Sequence, residues 1–412
     1  MSSSLGFGRI FQVLGQRNYG IFTLGNSISL IGTWMQRIAA GWLAWTLTES
    51  AGWVGAVAFA DLFPCILIGP FAGAAADRWD RMRVMKIGQV LGFGQALLLA
   101  VLYAAGLLSI WPLFLITLFQ GFVTGGLQPF RLAITPRLVE KEWLNTAIAI
   151  NSVTFNLARF VGPAVAGLLI AIGGLGMTFA VNALSFLVFV VALNLVRLSP
   201  YRAPPSGKSF LADIAVGLRH AVTMPGVNAI ILMTVVSGLC VRPVLELLPG
   251  WAAQAFNGSS SDFAALTSAF GIGAIIGGLW LATRQGARGL AGIVVWSNIG
   301  MCATLLGFAV CTRVWMALPL AVVTGIFLVS AAVAGQTLAQ ILVPDELRGR
   351  VLSVLGLVMR GSPAIGALVI GIASDHFGMR LPLITGVAIL LGLMLYFVLG
   401  FARFRALLED SL

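Results

Sequence analysis

Apolar residues fill this chain in long blocks, and polar residues are confined mainly to the short breaks between them. Twelve blocks can be marked, over 19–46, 51–76, 84–107, 111–136, 145–172, 175–197, 224–252, 263–284, 289–311, 314–342, 349–373 and 380–402. Each is close to the length, roughly 20 residues, that an α-helix needs to cross the hydrocarbon of a bilayer. In lipid every backbone N–H and C=O must be satisfied within its own segment, so helices are the expected form. The chain therefore reads as an all-α membrane protein with twelve transmembrane helices.

The longest polar break, 198–222, divides the blocks six and six. It opens rich in Pro and Ser, and Phe210, Leu211, Ile214 and Leu218 then recur at helical spacing, which predicts a linker with a short surface helix. The flanking halves, 1–197 and 223–412, repeat weakly. Trp42 and Trp251 hold matching places in the first and seventh blocks, as do Asn18 and Asn228. RFVGPAVAG from Arg159 is echoed by RGSPAIGA from Arg360, and the basic break before the fifth block by VPDELRGR from Val343. Two pseudo-symmetric six-helix halves, with sites near the midplane of their interface, are an architecture of secondary transporters.

Composition agrees: 9% of the 412 residues are charged, against about 25% in soluble domains. A net charge of +11 would suggest nucleic acid for a soluble protein, but the placement of the basic residues gives another cause. If the N-terminus is cytoplasmic, the loops, span ends and termini on that side hold 18 of the 25 Lys and Arg, and the opposite side holds only Arg313 and Arg380. That asymmetry puts both termini of a multi-pass membrane protein in the cytoplasm, with no nucleic-acid partner required. LGFGRIFQVLGQR, residues 5–17, mixes apolar and basic residues at helical spacing and is expected on the inner membrane surface. Residues 1–16 lack an apolar core followed by a small-residue cleavage site, so no cleavable signal peptide is expected. Cys65, Cys240, Cys302 and Cys311 lie in apolar blocks without metal-like spacing, and His220 and His376 stand alone at expected loop positions. No metal or cofactor is expected.

The break between the second and third blocks is the densest in charge. GAAADRWDRMR runs from Gly73 through Asp77, Arg78, Asp80 and Arg81 to Arg83. Its small residues end one span so that it can pack closely on a neighbour. Asp77 falls where a carboxylate could accept from unfilled amides at another helix's N-terminus, and the start of the eleventh block near Arg350 and Val351 is the candidate. The spacing and position resemble the loop signature of the major facilitator superfamily, which implies the major facilitator fold. A second function for the loop, simply keeping its end of the chain cytoplasmic, fits the arginines but leaves Asp77 unused.

The text from Gln128, QPFRLAITPRLVEKEWLNTAIAINS, continues through LARFVGPAVAGLLI in the fifth block. It resembles the enterobactin-exporter-like branch of that superfamily, the transmembrane secretion effectors, which also includes macrolide efflux proteins. Pro129, Arg131, Pro136, Leu138, Leu144, Arg159, Gly162, Pro163, Gly167, Asn182 and Phe186 carry the resemblance. The segment at Gly162 and Pro163 is also similar to the antiporter motif of drug exporters, although Ala158 and Ala166 stand where two of its glycines usually fall. An arginine usual in proton-coupled members three residues before Gln120 is replaced by Thr117.

Charges inside the blocks are the candidate chemistry, because they are costly there and face the interior or a watery cavity. Arg37 and Asp61 fall at nearly one depth, as a structural ion pair or as a transport site. Arg242 and Glu246 are four apart and share a helix face, with Pro243 loosening the backbone between them. Asp61 and Glu246 are the only acids well inside the blocks, so they are the candidates for proton coupling, tuned by the two arginines. Burial favours the protonated form of a carboxylate and a nearby arginine the ionised form. Arg159 and Arg360, in repeat-related segments, are candidates for an anionic substrate group.

The resemblance implies a proton-coupled exporter, an antiporter, of an amphipathic organic molecule such as a siderophore or drug, working by alternating access as a monomer. An importer or a lipid flippase on the same fold is the alternative. No GxxxxGK[ST] occurs, so an ion gradient rather than ATP is the expected source of energy. The set of intramembrane polar residues holds no nucleophile, base or metal cluster, so no enzyme is expected. The topology predicts that reporters fused after Ser206 and after Leu412 both read as cytoplasmic; an external signal at either overturns it.

Overall fold

Backbone pairing is helical throughout the described residues, which in this computed structural model are 5–76, 78–198, 218–220, 223–224, 226–284 and 289–400, and no strand occurs among them. A surface helix α1 (Leu5–Gly15) precedes α2 (Arg17–Thr48). The second block forms α3 (Ala51–Leu62) and α4 (Pro64–Ala76), followed by α5 (Arg81–Ala104), α6 (Ile110–Ile134) and the long α7 (Leu144–Leu195). Then come α8 (Val227–Cys240), α9 (Ser260–Ala282), α10 (Leu290–Val310), α11 (Val314–Leu342), α12 (Asp345–Phe377) and α13 (Arg380–Leu399). Most of the expected 198–222 linker, together with Asp77, lies outside the described residues.

Each expected block is found in helix, but three depart from one straight span. The second block breaks at Phe63, because Pro64 has no N–H to continue the ladder. The fifth and sixth blocks are one helical run of 52 residues whose single non-helical residue is Gly174, at φ 73°. Contacts with α2 give the direction of its arms. Tyr19 donates to the Ala147 carbonyl at 2.9 Å, and Trp34 lies against Gly162, so the first arm runs alongside α2. Asn182 meets Gln36 and the backbone of Arg197 meets Asn18, so the second arm runs back. The chain reverses at one residue, in the left-handed region that glycine adopts without steric cost.

The seventh block is the third departure. After α8, Pro243 and Pro249 allow only a tight 3₁₀ turn (Arg242–Leu245), one short helical turn (Leu248–Gly250) and a wide turn (Trp251–Ala255). An aromatic cluster anchors it: the Trp251 ring lies 5.2 Å from Phe308, which is also 5.3 Å from Phe256 and 6.0 Å from Phe270. Such pairs are worth about 0.5–1.5 kcal/mol beyond burial. This corrects one expectation: Arg242 and Glu246 do not share an α-helical face, since Glu246 caps the 3₁₀ turn. His376 is likewise in the last turn of α12 and not in a loop.

Nine helical runs among the described residues are long and apolar enough to cross a membrane. α2, although 32 residues long, is not among them. Its Thr23, Asn26, Ser29 and Gln36 are all buried, so its polarity is directed into protein. The chain forms two compact units. One takes α2 to Leu43 with α4 to α7; the other takes Ala44–Phe63, hence α3, with α8 to α13.

Within the second unit α9 and α11 touch backbone to backbone. A Cβ on Gly273 would collide with the Val322 carbonyl, and one on Gly325 with the Phe270 carbonyl. Close backbones are how membrane helices associate where hydrophobicity gives no preference. Gly273→Ala is expected to destabilise the protein by roughly 1–3 kcal/mol through overpacking; an unchanged unfolding midpoint in detergent would refute so close a crossing.

Candidate functional site

The expected site residues fall into three groups by the elements that carry them. The first is on α2 and the first arm of α7. Arg37, one turn after Trp34, places its guanidinium carbon 5.1 Å from the centre of that indole. Arg159 of α7 places its own 5.6 Å from the same ring, and the Phe155 ring meets it edge to face at 6.1 Å. The rings and both guanidiniums thus form one cluster of aromatic faces and positive charge. Gly162 permits it, since a Cβ there would lie 2.5 Å from the Trp34 Cβ. Pro163 follows it, and the helix continues through both residues. A cation over an indole is stabilised by about 0.5–1 kcal/mol when exposed and about 2 kcal/mol when dry.

Directly behind Arg37 lies an amide network that the sequence reading missed apart from Asn182. The Gln36 side chain donates to the Gln95 carbonyl oxygen at 3.0 Å, accepts from its amide at 3.3 Å, and accepts from Asn182 at 2.7 Å. Ser185 donates to Asn182 at 3.0 Å, and Ser29 to Gln89 at 3.0 Å. These groups are buried and tie α2 to α5 and to the second arm of α7. Their signal in the sequence was mid-span Gln and Asn, which are expensive in lipid unless paired.

The second group is carried by the other compact unit. Arg242, half-buried in its 3₁₀ turn, helps line a small cavity of about 30 Å³ with Met233, Ser237, Asn298, Gln336 and Met359. Glu246 is half-buried four residues on, and Arg360 is half-buried on α12 before Pro363. Asp61 is half-buried at the end of α3, two residues before the break. Arg37 and Arg159 are therefore brought together on Trp34, an association that sequence reasoning did not anticipate.

The third place is the charged loop. Asp80 caps α5, accepting from the amides of Met82 at 2.9 Å and Arg83 at 3.1 Å. Arg81 donates through Nε to the Ala76 carbonyl at 2.9 Å and through Nη1 to that of Ala133 at 2.9 Å. It thus fills open carbonyls at the ends of both α4 and α6, where the helix dipoles favour a cation. Arg78 is exposed, and Gly73 sits near the end of α4. In the other half Arg348 repeats the device, donating to the Gln340 carbonyl at 2.9 Å. Among the described residues no cluster of His, Cys, Asp and Glu could hold a metal ion.

A bundle of apolar helices with charge and aromatic surface inside its spans has the layout of a membrane transporter. The transmembrane secretion effector family matches residues 11–410, and the chain belongs to that family of major facilitator transporters. It is 25% identical over 394 residues to the staphyloferrin A transporter of Staphylococcus aureus (strain NCTC 8325 / PS 47), covering 95% of this chain and 98% of that one. It is 23% identical over 366 residues to macrolide efflux protein A of Streptococcus pyogenes, covering 86% and 89%. The crystal structure of a bacterial homologue of the human lysosomal transporter Spinster superposes with a TM-score of 0.76 at 16% identity, over 96% of this chain and 98% of that chain, and shows the shared fold.

If Arg81 serves as a double cap, Arg81→Lys keeps the charge and loses the fork that reaches two carbonyls. The expected loss is roughly 1.5–3 kcal/mol, the value of a hydrogen bond to a charged group, read by thermal unfolding in detergent. Unchanged stability would refute the double cap.

Proposed function

We propose that this protein exports an amphipathic organic molecule, with an acidic group and a flat apolar face, across the bacterial inner membrane in exchange for protons. Both termini lie in the cytoplasm, and two six-helix halves, 1–197 and 223–412, rock to expose the substrate to either side in turn. The observation that carries the substrate class is the cluster of Arg37 and Arg159 on Trp34. Its indole and the Phe155 ring offer a flat apolar surface, and the guanidiniums offer the fork geometry that suits a carboxylate or a similar oxyanion. Arg360 is the repeat-related counterpart of Arg159. The relatives' names support the direction and the class of cargo: one is a macrolide efflux protein and another transports staphyloferrin A.

Asp61 and Glu246 are assigned the proton. Wet and dry surroundings alternate as the halves rock, and a carboxylate's affinity for protons follows its surroundings. Asp77 and its neighbours Gly73, Arg78 and Arg81 are assigned to gating.

The test uses the purified protein in proteoliposomes with a panel of siderophores, macrolides, dyes and lysolipids, in counterflow from both sides. Export against a concentration gradient, driven by a pH gradient, is expected for at least one anionic member. Asp61→Asn or Glu246→Gln should abolish the uphill movement while preserving exchange. If both variants still concentrate substrate with unchanged pH dependence, neither carboxylate is the coupling site; uphill movement only inward would make the protein an importer, and movement of lysolipid alone a flippase.

A further inference from the structure

The break at Phe63 separates α3 from the rest of its own span, and α3 is grouped with the second compact unit while α4 is grouped with the first. What binds α3 there is α12. The Asp375 carboxylate accepts from the Ser50 hydroxyl at 2.6 Å, the Ala51 amide at 2.6 Å and the Gly52 amide at 3.1 Å. Ser50 in turn accepts from the Trp53 amide at 3.1 Å. Three of the open amides in the first turn of α3 are thereby filled, two of them by a residue more than three hundred positions away in the chain.

Below the carboxylate the helix backbones touch. A Cβ on Gly371 would collide with the Ala51 carbonyl, and one on Gly55 with the Ala367 carbonyl. Ala367, Gly371 and Asp375 are four residues apart and so lie on one face of α12. The contact is thus a row of close backbone approaches ended by a charged cap. Asp375 is exposed, so water competes for each of its hydrogen bonds, and the contact can be made and broken without burying an unpaired charge. Ser50 caps the start of the second block, which ends in the GAAADRWDRMR loop, so the contact is at the opposite end of the span from that loop.

We propose that Asp375 and the start of α3 form a latch that closes the outer end of the transporter and must release for that end to open. The latch rests on the alternating-access reading above. It makes the helix start at Ser50 the keeper, Asp375 the bolt, and Gly52, Gly55 and Gly371 the fitted faces. A side chain on any of these glycines would hold the faces apart.

The latch is tested without substrate, so its failure is distinct from failure of the export reading. Ala51, buried at the contact, is changed to cysteine in the full-length protein in lipid nanodiscs. Its reaction with a membrane-impermeant maleimide is followed by intact mass, with the parent's native cysteines as the background. Asp375→Asn is expected to speed labelling about tenfold, which is about 1.4 kcal/mol in the closing equilibrium, and Gly371→Ala to speed it as well. Equal rates with Asp375 and Asp375→Asn overturn the proposal. Should Asp375→Asn fail to fold, the pair Ser50→Cys with Asp375→Cys replaces it. Oxidation should then hide two thiols in most molecules, and absence of that disulfide overturns the latch equally.

Discussion

Between membrane helices the hydrophobic effect gives little preference, because lipid tails are as apolar as leucine; close shape and hydrogen bonds must hold the helices together. Much of the bundle can be read as a response to that constraint. Where glycines allow, backbones touch, as in α9 against α11 and α3 against α12. Where polar side chains enter a span they find one another, and the amides of Gln36, Gln95 and Asn182 join three helical segments at one point. The network sits beside Arg37, so the element that fixes α2 also fixes the start of the aromatic and cationic cluster.

The same constraint governs helix ends. A helix terminating near the membrane surface leaves carbonyls or amides that lipid cannot satisfy. Arg81 answers for two helices at once, and Arg348 caps the end of α11 through the Gln340 carbonyl. Arg81, one of the four residues assigned above to gating, is therefore engaged in capping, and a capping role and a gating role use the same atoms.

The helical membrane bundle was legible because lipid imposes length and apolarity on each span, and a run such as 314–342 has no competing reading. The corner between 172 and 175 was legible too, but not that Gly174 alone makes it, since neither Gly173 nor Gly174 carries a mark of its φ. The shared α-helical face of Arg242 and Glu246 was misjudged because a four-residue spacing presumes an α-helix, and Pro243 and Pro249 replace it with tighter and wider turns. Arg37 and Arg159 were each recognisable as costly intramembrane charges, but their meeting on Trp34 depends on which faces of α2 and α7 come together. One sequence does not encode that pairing locally. Asp375 escaped notice for a similar reason: it falls just past an apolar block, where an acid looks like an ordinary loop residue.

The reversal at Gly174 has a mechanical consequence. Most spans are joined by several residues that can stretch or coil, and such a loop uncouples the movement of its two helices. Here the joint is one residue with two rotatable bonds, so there is almost no slack. A tilt of the first arm, which carries Arg159 and Gly162, is delivered to the second arm, which carries Asn182 and Ser185, as a rigid linkage delivers a stroke. Insertions at this corner would add play to the linkage, which makes it a poor place for a tag or a fusion.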